Sequence, residues 1–195
     1  ARKTFGGEYY DDIVYISANP YINSKGIEII ENFDATDHVY KVIDAWDQGW
    51  VDESTATPPE YVGKATRTAR MKYPGKRLIS HFIQPHVPYL SLDEDMKGLS
   101  EKTWDFMKGL AVKVLGYSGA RKIKDTLKIG GKGEYAKKIA EKFGKEKLKR
   151  LYAENLRIAL KETEKLVNRL PGKIVITSDH GELLGENGKY EHPSG

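Results

Sequence analysis

Residues 173–192 read KIVITSDHGELLGENGKYEH, and the prediction of the fold class begins from this stretch. The β-branched apolar run at residues 174–176 follows a Pro-Gly pair and predicts a buried parallel strand of an α/β domain. Polar residues then end the predicted strand. Asp179 and His180 are therefore expected at its carboxyl end, where open α/β sheets place their ligands.

The Asp179–His180 pair has two interpretations. A carboxylate and an imidazole are an ordinary ligand set for Zn²⁺ or Mn²⁺, and Gly181 would let both side chains turn toward one ion. On spacing alone, however, such a pair is more often a turn with a hydrogen-bonded histidine. The residues by themselves leave both interpretations open.

The rest of the chain predicts alternating strands and helices. Residues 12–17, 38–46 and 76–84 have the apolar and β-branched patterns of strands. Thr57 is the expected N-cap of a helix that runs to Tyr73, since two prolines follow it and Glu60 lies three residues on. The apolar periodicity of residues 100–115 and 145–170 predicts two more helices. The sequence therefore predicts a three-layer α/β/α fold with a mostly parallel central sheet, in which the long helix at 145–170 covers the sheet.

Residues 117–147 are rich in lysine and glycine. The GGKG at residues 130–133 lacks the spacing of a P-loop and follows no convincing strand. Basic residues without interleaved aromatic residues are poor evidence for a nucleic-acid partner. We interpret residues 117–147 as a basic, solvated helical excursion or insertion within a single α/β domain that spans residues 1–195.

A histidine follows the predicted strand at 76–84. His86 lies between Pro85 and Pro88, which are expected to hold the backbone extended and fix the direction of the imidazole. A rigid loop with an exposed histidine is the simplest interpretation. His81, within the strand, is expected to be a packed or rim histidine and not a ligand.

Two of these segments resemble one protein family. The string TSDHGELLGENG at 177–188 and the His-x-Pro-Tyr turn at His86 are similar to motifs of the alkaline phosphatase and sulfatase superfamily, in its sulfatase-like and phosphoglycerol-transferase-like branches. The resemblance covers about the C-terminal half of a catalytic domain, from Lys76 to His192. It implies a metal-dependent hydrolase, or transferase, that acts on a small-molecule, lipid or sugar ester of phosphate or sulfate.

The resemblance also implies residue roles. It implies that Asp179 and His180 bind a divalent metal ion, with His192 as a further metal or substrate ligand. It implies that His86 contacts the phosphate or sulfate group or the leaving group, a task that suits a side chain titrating near neutrality. Lys189 is expected near the substrate anion or, more simply, as a surface lysine. The metal could be Zn²⁺, Mn²⁺, Mg²⁺ or Ca²⁺.

The sequence departs from the family pattern in two respects. Two-metal members have an Asp four residues before the histidine, whereas position 82 is Phe, so a one-metal site is expected. No nucleophile is identified, because Ser17, at the end of a predicted strand, does not match the motif. A noncatalytic domain that has the same fold and binds a metal or an anion is therefore the alternative function.

Composition sets broader limits. A chain of 195 residues suits one domain with a sizeable core. The net charge of +4 is mild, and the absence of cysteine excludes a disulfide framework and a thiol nucleophile. Glutamine occurs only at 48 and 84 while lysine and glutamate are abundant, a bias typical of heat-adapted proteins.

The ends of the chain also carry expectations. The chain starts without Met and stops inside an expected functional loop, so it is interpreted as a fragment of a larger catalytic domain. No apolar signal region follows Arg2 and Lys3, and no apolar run reaches the length of about 18 residues that a transmembrane helix needs. These features favour a cytoplasmic location over secretion and predict no transmembrane segment. The sequence does not predict an oligomeric state.

Overall fold

A computed structural model describes residues 7–26, 32–48, 57–87, 89–91 and 134–192 of the chain. The helix predicted at 100–115 and most of the predicted insertion, residues 117–133, lie outside the described residues. Within the described ranges, no helix combines the length and the apolar character needed to cross a bilayer.

Three parallel strands form the central sheet. They are β1 (Tyr10–Ser17), β2 (Val39–Asp44) and β3 (Arg77–His81), in the order β2-β1-β3. All three strands predicted upstream of the long helix are confirmed, although β3 ends at His81 and not at residue 84. Parallel strands joined through helices make this an α/β protein.

Four α-helices and a small hairpin complete the described structure. The helices are α1 (Ala45–Gln48), α2 (Pro59–Lys72), α3 (Glu134–Phe143) and α4 (Lys145–Val167). The hairpin pairs β4 (Leu183–Leu184) with β5 (Tyr190–Glu191), and short 3₁₀ turns occur at Ala35–Asp37 and Glu186–Gly188.

The start of α2 differs from the prediction in one residue. Pro58 is the N-cap, and no side chain caps the helix. The Thr57 hydroxyl instead donates to the carbonyl of Ala18, at 3.4 Å, next to the end of β1. The predicted N-cap was therefore wrong because a tertiary contact takes up the threonine hydroxyl. The helix ends as predicted, with Tyr73 as its C-cap.

Helix α2 forms a layer on one face of the sheet. Its buried face packs Val62, Ala65 and Ala69 against Val14 and Ile16 of β1. Burying these side chains removes apolar surface from water, at about 25 cal/mol per Å². On the other face of the sheet, a second cluster forms around Ile13, Ile22, Phe33, Val39 and Val42.

The long helix α4 confirms the helix predicted at 145–170, but its packing differs from the prediction. Its main neighbours are α2 and α3, so it lies against other helices and does not cover the sheet directly. The buried stripe of α4 includes Asn155 and Glu162. Buried polar side chains need hydrogen-bond partners, which a neighbouring helix or loop can supply and an apolar sheet face cannot.

Helix α3 belongs to the region predicted as a solvated excursion. Ala136, Ile139 and Ala140 of α3 pack with Leu148 and Leu151 of α4 in a third core cluster. The described part of the basic region is therefore helical, and one face of it is packed into the protein. Lysines occupy the outer face of α3, which explains why composition alone indicated a solvated helix.

The strand predicted at residues 174–176 is not formed. Ile174, Val175 and Ile176 lie outside any β-ladder and are 40%, 78% and 62% exposed. The β-branched run meets the side-chain preference of a strand, but a strand also needs a hydrogen-bonding neighbour, and none of the described strands pairs with these residues. The predicted helix-to-strand crossover is therefore wrong.

Candidate functional site

His86 lies in the turn that follows β3. The backbone N–H of His86 donates to the carbonyl of Ile83 at 3.1 Å, so the chain turns here and is not extended as predicted. The His86 ring is held by a contact of 2.8 Å between its Nδ1 and the carbonyl of Val87. Because Nδ1 donates its hydrogen to this carbonyl, Nε2 is the ring nitrogen that remains available to a ligand.

Three imidazoles come together at this turn. The ring centroids of His86 and His192 are 5.8 Å apart, and those of His192 and His180 are 4.3 Å apart. His86 is separated from the other two by more than ninety residues of sequence. His192 follows directly after β5, so the β4–β5 hairpin returns the chain to His180. We call His86, His180 and His192 the histidine cluster.

Asp179 lies at the edge of the histidine cluster, with its side chain largely exposed. Its Oδ2 is 3.7 Å from His180 Nε2, and its Oδ1 accepts the backbone N–H of His180 at 3.0 Å. The Nδ1 atom of His180 lies 3.1 Å from the carbonyl of Gly181. The pair thus forms a local turn with a hydrogen-bonded histidine, and one carboxylate oxygen faces His180.

The charge of Asp179 also acts on two side chains of the sheet, Tyr15 and His81. The hydroxyl of Tyr15 in β1 and Nδ1 of His81 in β3 are 2.9 Å apart. Burial raises the pKa of Tyr15 to about 12, and the negative charge of Asp179 adds to this effect. Burial lowers the pKa of His81, which Asp179 partly opposes. His81 is therefore a packed histidine, as predicted, and it is the last residue of β3, at the sheet edge where ligands are expected.

Glu182 joins the histidine cluster, although no role was predicted for it. Its side chain is 4% exposed and its Oε1 is 3.6 Å from His86 Nε2, beyond hydrogen-bond distance. This oxygen is buried without a hydrogen-bond partner. Burial raises the pKa of Glu182, the charge of His86 lowers it, and the charge of Glu191 raises it further, so that the pKa is raised overall. The signal in the sequence was a carboxylate two residues after a candidate metal-binding histidine.

The other predicted site residues have simpler surroundings. Lys189 is exposed and lies in the β4–β5 hairpin, where its backbone N–H donates to the carbonyl of Glu186 at 2.9 Å. The Ser17 hydroxyl is buried, donates to the carbonyl of Asn19 at 2.7 Å and accepts the Asn19 N–H at 3.1 Å. Ser17 is thus not placed to act as a nucleophile.

The donor set suits a divalent cation in its chemistry. Imidazole nitrogen and carboxylate oxygen are ligands of Zn²⁺ and Mn²⁺, and the partnerless oxygen of Glu182 faces the histidine cluster. The side chains do not converge as ligands, however, because no group of three or more His, Asp or Glu side chains in the described ranges has the arrangement that holds a metal ion.

Comparisons with protein-family models, with curated protein sequences and with solved structures produced no match to this chain.

Proposed function

We propose that this chain is part of a metal-dependent hydrolase or transferase that acts on phosphate or sulfate esters. Asp179, His180 and His192 would bind the metal ion, and His86 would contact the anionic group of the substrate. The observation that supports this proposal best is the histidine cluster, in which two segments remote in sequence bring together the side chains that the family resemblance singles out.

The position of the histidine cluster supports the same proposal. The turn that carries His86 follows the carboxyl end of β3, the edge at which parallel sheets bind ligands, and the charge of Asp179 acts on Tyr15 of β1 and His81 of β3. A site for an ester must combine a group that binds a cation with a group that donates a hydrogen bond to an anion. The histidine cluster and Asp179 together contain both kinds of side chain, in the turn after β3 and on the two sides of the β4–β5 hairpin.

Each residue has a distinct task in this proposal. A divalent cation would supply positive charge that polarises the oxygen atoms of the ester. Asp179 and His180 would hold the cation, and His192, whose ring lies against His180, would complete the donor set. His86, with Nδ1 engaged by its own loop, would present Nε2–H to an ester oxygen after protonation and would donate a proton to the leaving group. The substrate would be a small-molecule, lipid or sugar ester.

A noncatalytic metal- or anion-binding domain is the second candidate function. The observation that favours it is the state of Ser17, the serine at the end of β1, whose buried hydroxyl is engaged with Asn19. A domain that only binds a cation or an anion would use the histidine cluster in the same way but would not need a nucleophile.

The test measures hydrolysis of p-nitrophenyl phosphate and p-nitrophenyl sulfate after metal removal and after addition of Mn²⁺ or Zn²⁺. We expect turnover to depend on the metal and to fall by about 100-fold or more in Asp179→Ala and His86→Ala. Asp37→Ala serves as the matched control, because Asp37 is an exposed carboxylate in a 3₁₀ turn remote from the cluster.

Calorimetric titration with Zn²⁺ on the same variants separates the two candidate functions. Metal binding that is lost in Asp179→Ala, without turnover in the parent chain, would favour the binding domain. Equal turnover in Asp179→Ala and Asp37→Ala would refute the assignment of Asp179 as a metal ligand.

A further inference from the structure

Asn155 is a fully buried polar residue in the middle of α4. It lies on the apolar stripe of the helix, one turn after Leu151 and one turn before Ala159, both of which are buried. A side-chain amide in such a position is destabilising unless its donors and its acceptor are all hydrogen-bonded. The hydrogen-bond partners of the Asn155 amide should therefore indicate its structural role.

Three hydrogen bonds connect the Asn155 side chain to the loop that carries His86. Its Nδ2 donates to the carbonyl of His86 at 3.2 Å and to that of Pro85 at 3.4 Å. Its Oδ1 accepts the backbone N–H of Leu90 at 2.8 Å. One amide group thus binds the loop at Pro85 and His86 on one side and at Leu90 on the other.

The geometry points to Asn155 as a positioning residue for His86, and this inference rests on the proposed function of His86. The loop from β3 to Tyr89 has no regular secondary structure in the described residues. Hydrogen bonds from a side chain on helix α4 therefore help to fix the position of the loop backbone. Its donors bind the carbonyl of His86 itself. The direction of the imidazole toward Glu182 and His192 therefore depends on the Asn155 amide.

Neighbouring contacts support the loop at its two ends. Gln84 Nε2 donates to the carbonyl of Thr57 at 2.9 Å, and the Ser91 hydroxyl donates to Glu154 at 2.7 Å. These bonds fix where the loop begins and where it ends. Asn155 differs from them because it binds the peptide groups of the residue with the candidate role.

The test replaces Asn155 and observes the His86 ring directly. Asn155→Asp has nearly the same shape but directs an oxygen at the two carbonyls that the Nδ2 group now serves. Asn155→Ser retains one donor and provides a second variant if the aspartate prevents folding. Leu166→Ala is the matched control, since Leu166 is buried on the same helix far from the loop.

The readout is the set of imidazole ¹H–¹⁵N resonances of the full 195-residue chain labelled at its five histidines. We expect both Asn155 variants to shift the resonances of His86 while those of His38 stay in place. Leu166→Ala should lower the melting temperature without moving the His86 resonances. Unchanged His86 resonances in the Asn155 variants, or an equal shift in Leu166→Ala, would overturn the inference.

Kinetics provide the second readout and keep the two proposals apart. If the chain hydrolyses p-nitrophenyl esters, Asn155→Ser should lower kcat by about 10- to 100-fold with a smaller change in KM, because a displaced catalytic group reduces rate more than binding. If the chain shows no turnover, the proposed function fails, whereas the His86 resonances still decide whether Asn155 positions the ring.

Discussion

Tyr15 is a partly buried side chain that contacts both the apolar core and the histidine at the end of β3. Its ring packs with the apolar cluster around Ile13, and its hydroxyl meets Nδ1 of His81 at 2.9 Å. The two rings also contact edge to face, with centroids 5.8 Å apart. This side-chain hydrogen bond adds to the backbone pairing of β1 with β3 and replaces water at both polar atoms.

The first prediction concerns this hydrogen bond. Tyr15→Phe keeps the ring but leaves Nδ1 of His81 without its partner, so we expect the free energy of unfolding to fall by about 1–2 kcal/mol. Urea denaturation of both proteins measures the change. Tyr9→Phe is the control, because Tyr9 is 56% exposed and its substitution should stay within about 0.5 kcal/mol. An equal effect in the two variants would contradict the prediction.

At the scale of elements, the contact between α2 and α4 is unusually polar. Glu162 of α4 is 3% exposed, and its carboxylate binds Arg67 of α2 at 3.0 Å and Lys165 of its own helix at 2.7 Å. Gly63 of α2 lies directly under this carboxylate. The absence of a side chain at residue 63 lets the two helices approach with the ion pairs between them.

The second prediction follows from this close approach. A Cβ atom at residue 63 would lie 2.8 Å from Glu162 Cγ and would also overlap its carboxylate. Alanine has the higher helix propensity by about 1 kcal/mol, but displacing a buried ion-paired side chain costs more. We expect Gly63→Ala to destabilise the protein by about 1–3 kcal/mol.

Thermal denaturation with a matched glycine tests that prediction. Gly75 lies in the turn after α2, and a Cβ atom there would meet nothing within 4 Å. Gly75→Ala should therefore leave the melting temperature almost unchanged. A stability of Gly63→Ala equal to that of Gly75→Ala would show that Glu162 does not occupy the space above residue 63.

The third prediction is a pH dependence of the same contact. Burial by itself raises the pKa of Glu162, but hydrogen bonds from Lys165 and Arg67 outweigh burial, so the pKa lies below its ordinary value of 4.5. A carboxyl with a lowered pKa stabilises the fold above its unfolded-state pKa, and that contribution is lost as the pH falls through the folded-state pKa. We expect the free energy of unfolding to decrease between about pH 5 and about pH 3.

Urea denaturation over this pH range compares the parent chain with Glu162→Gln. The variant lacks the titrating group, so its stability should be lower at neutral pH and should decrease less on acidification. Glu60→Gln is the control, because Glu60 is exposed in the first turn of α2. If Glu162→Gln and the parent lose stability in parallel, Glu162 does not make the predicted contribution.

For the molecule as a whole, the apolar segment after α4 does not extend the sheet, which has three strands in the described residues. β3 is an edge strand among the described residues, and its Ile79 is 36% exposed. Residues 174–176 are exposed as well, although their composition is that of a core strand. A second layer of helices on the sheet, as in the three-layer arrangement, remains a prediction, whereas the α/β class is established.

The fourth prediction tests the exposure of this segment. Val175 is 78% exposed, so Val175→Lys should change the free energy of unfolding by no more than about 0.5 kcal/mol. Val14→Ala is the comparison, because Val14 is fully buried in β1 and its truncation should cost about 2 kcal/mol. Chemical denaturation measures both. A loss in Val175→Lys as large as that in Val14→Ala would mean that residues 174–176 are buried in the folded protein.

Local patterns determined much of this protein. The apolar runs predicted β1, β2 and β3, and three- and four-residue periodicity predicted α2 and α4, because burial of one face leaves a repeat in the sequence. The motifs containing His86, Asp179 and His180 were also visible as polar residues beside apolar runs. These strands, helices and motifs depend on residues that are close together in the sequence.

Tertiary structure alone decided the rest. Residues 174–176 do not join the sheet because no described strand pairs with them. Helix α4 packs on α2 and α3, and the Thr57 hydroxyl binds the carbonyl of Ala18 instead of capping α2. The approach of Glu182 to His86 and the hold of Asn155 on the His86 loop join residues far apart in sequence. No periodicity encodes such contacts, since their energy exists only once the elements have packed together.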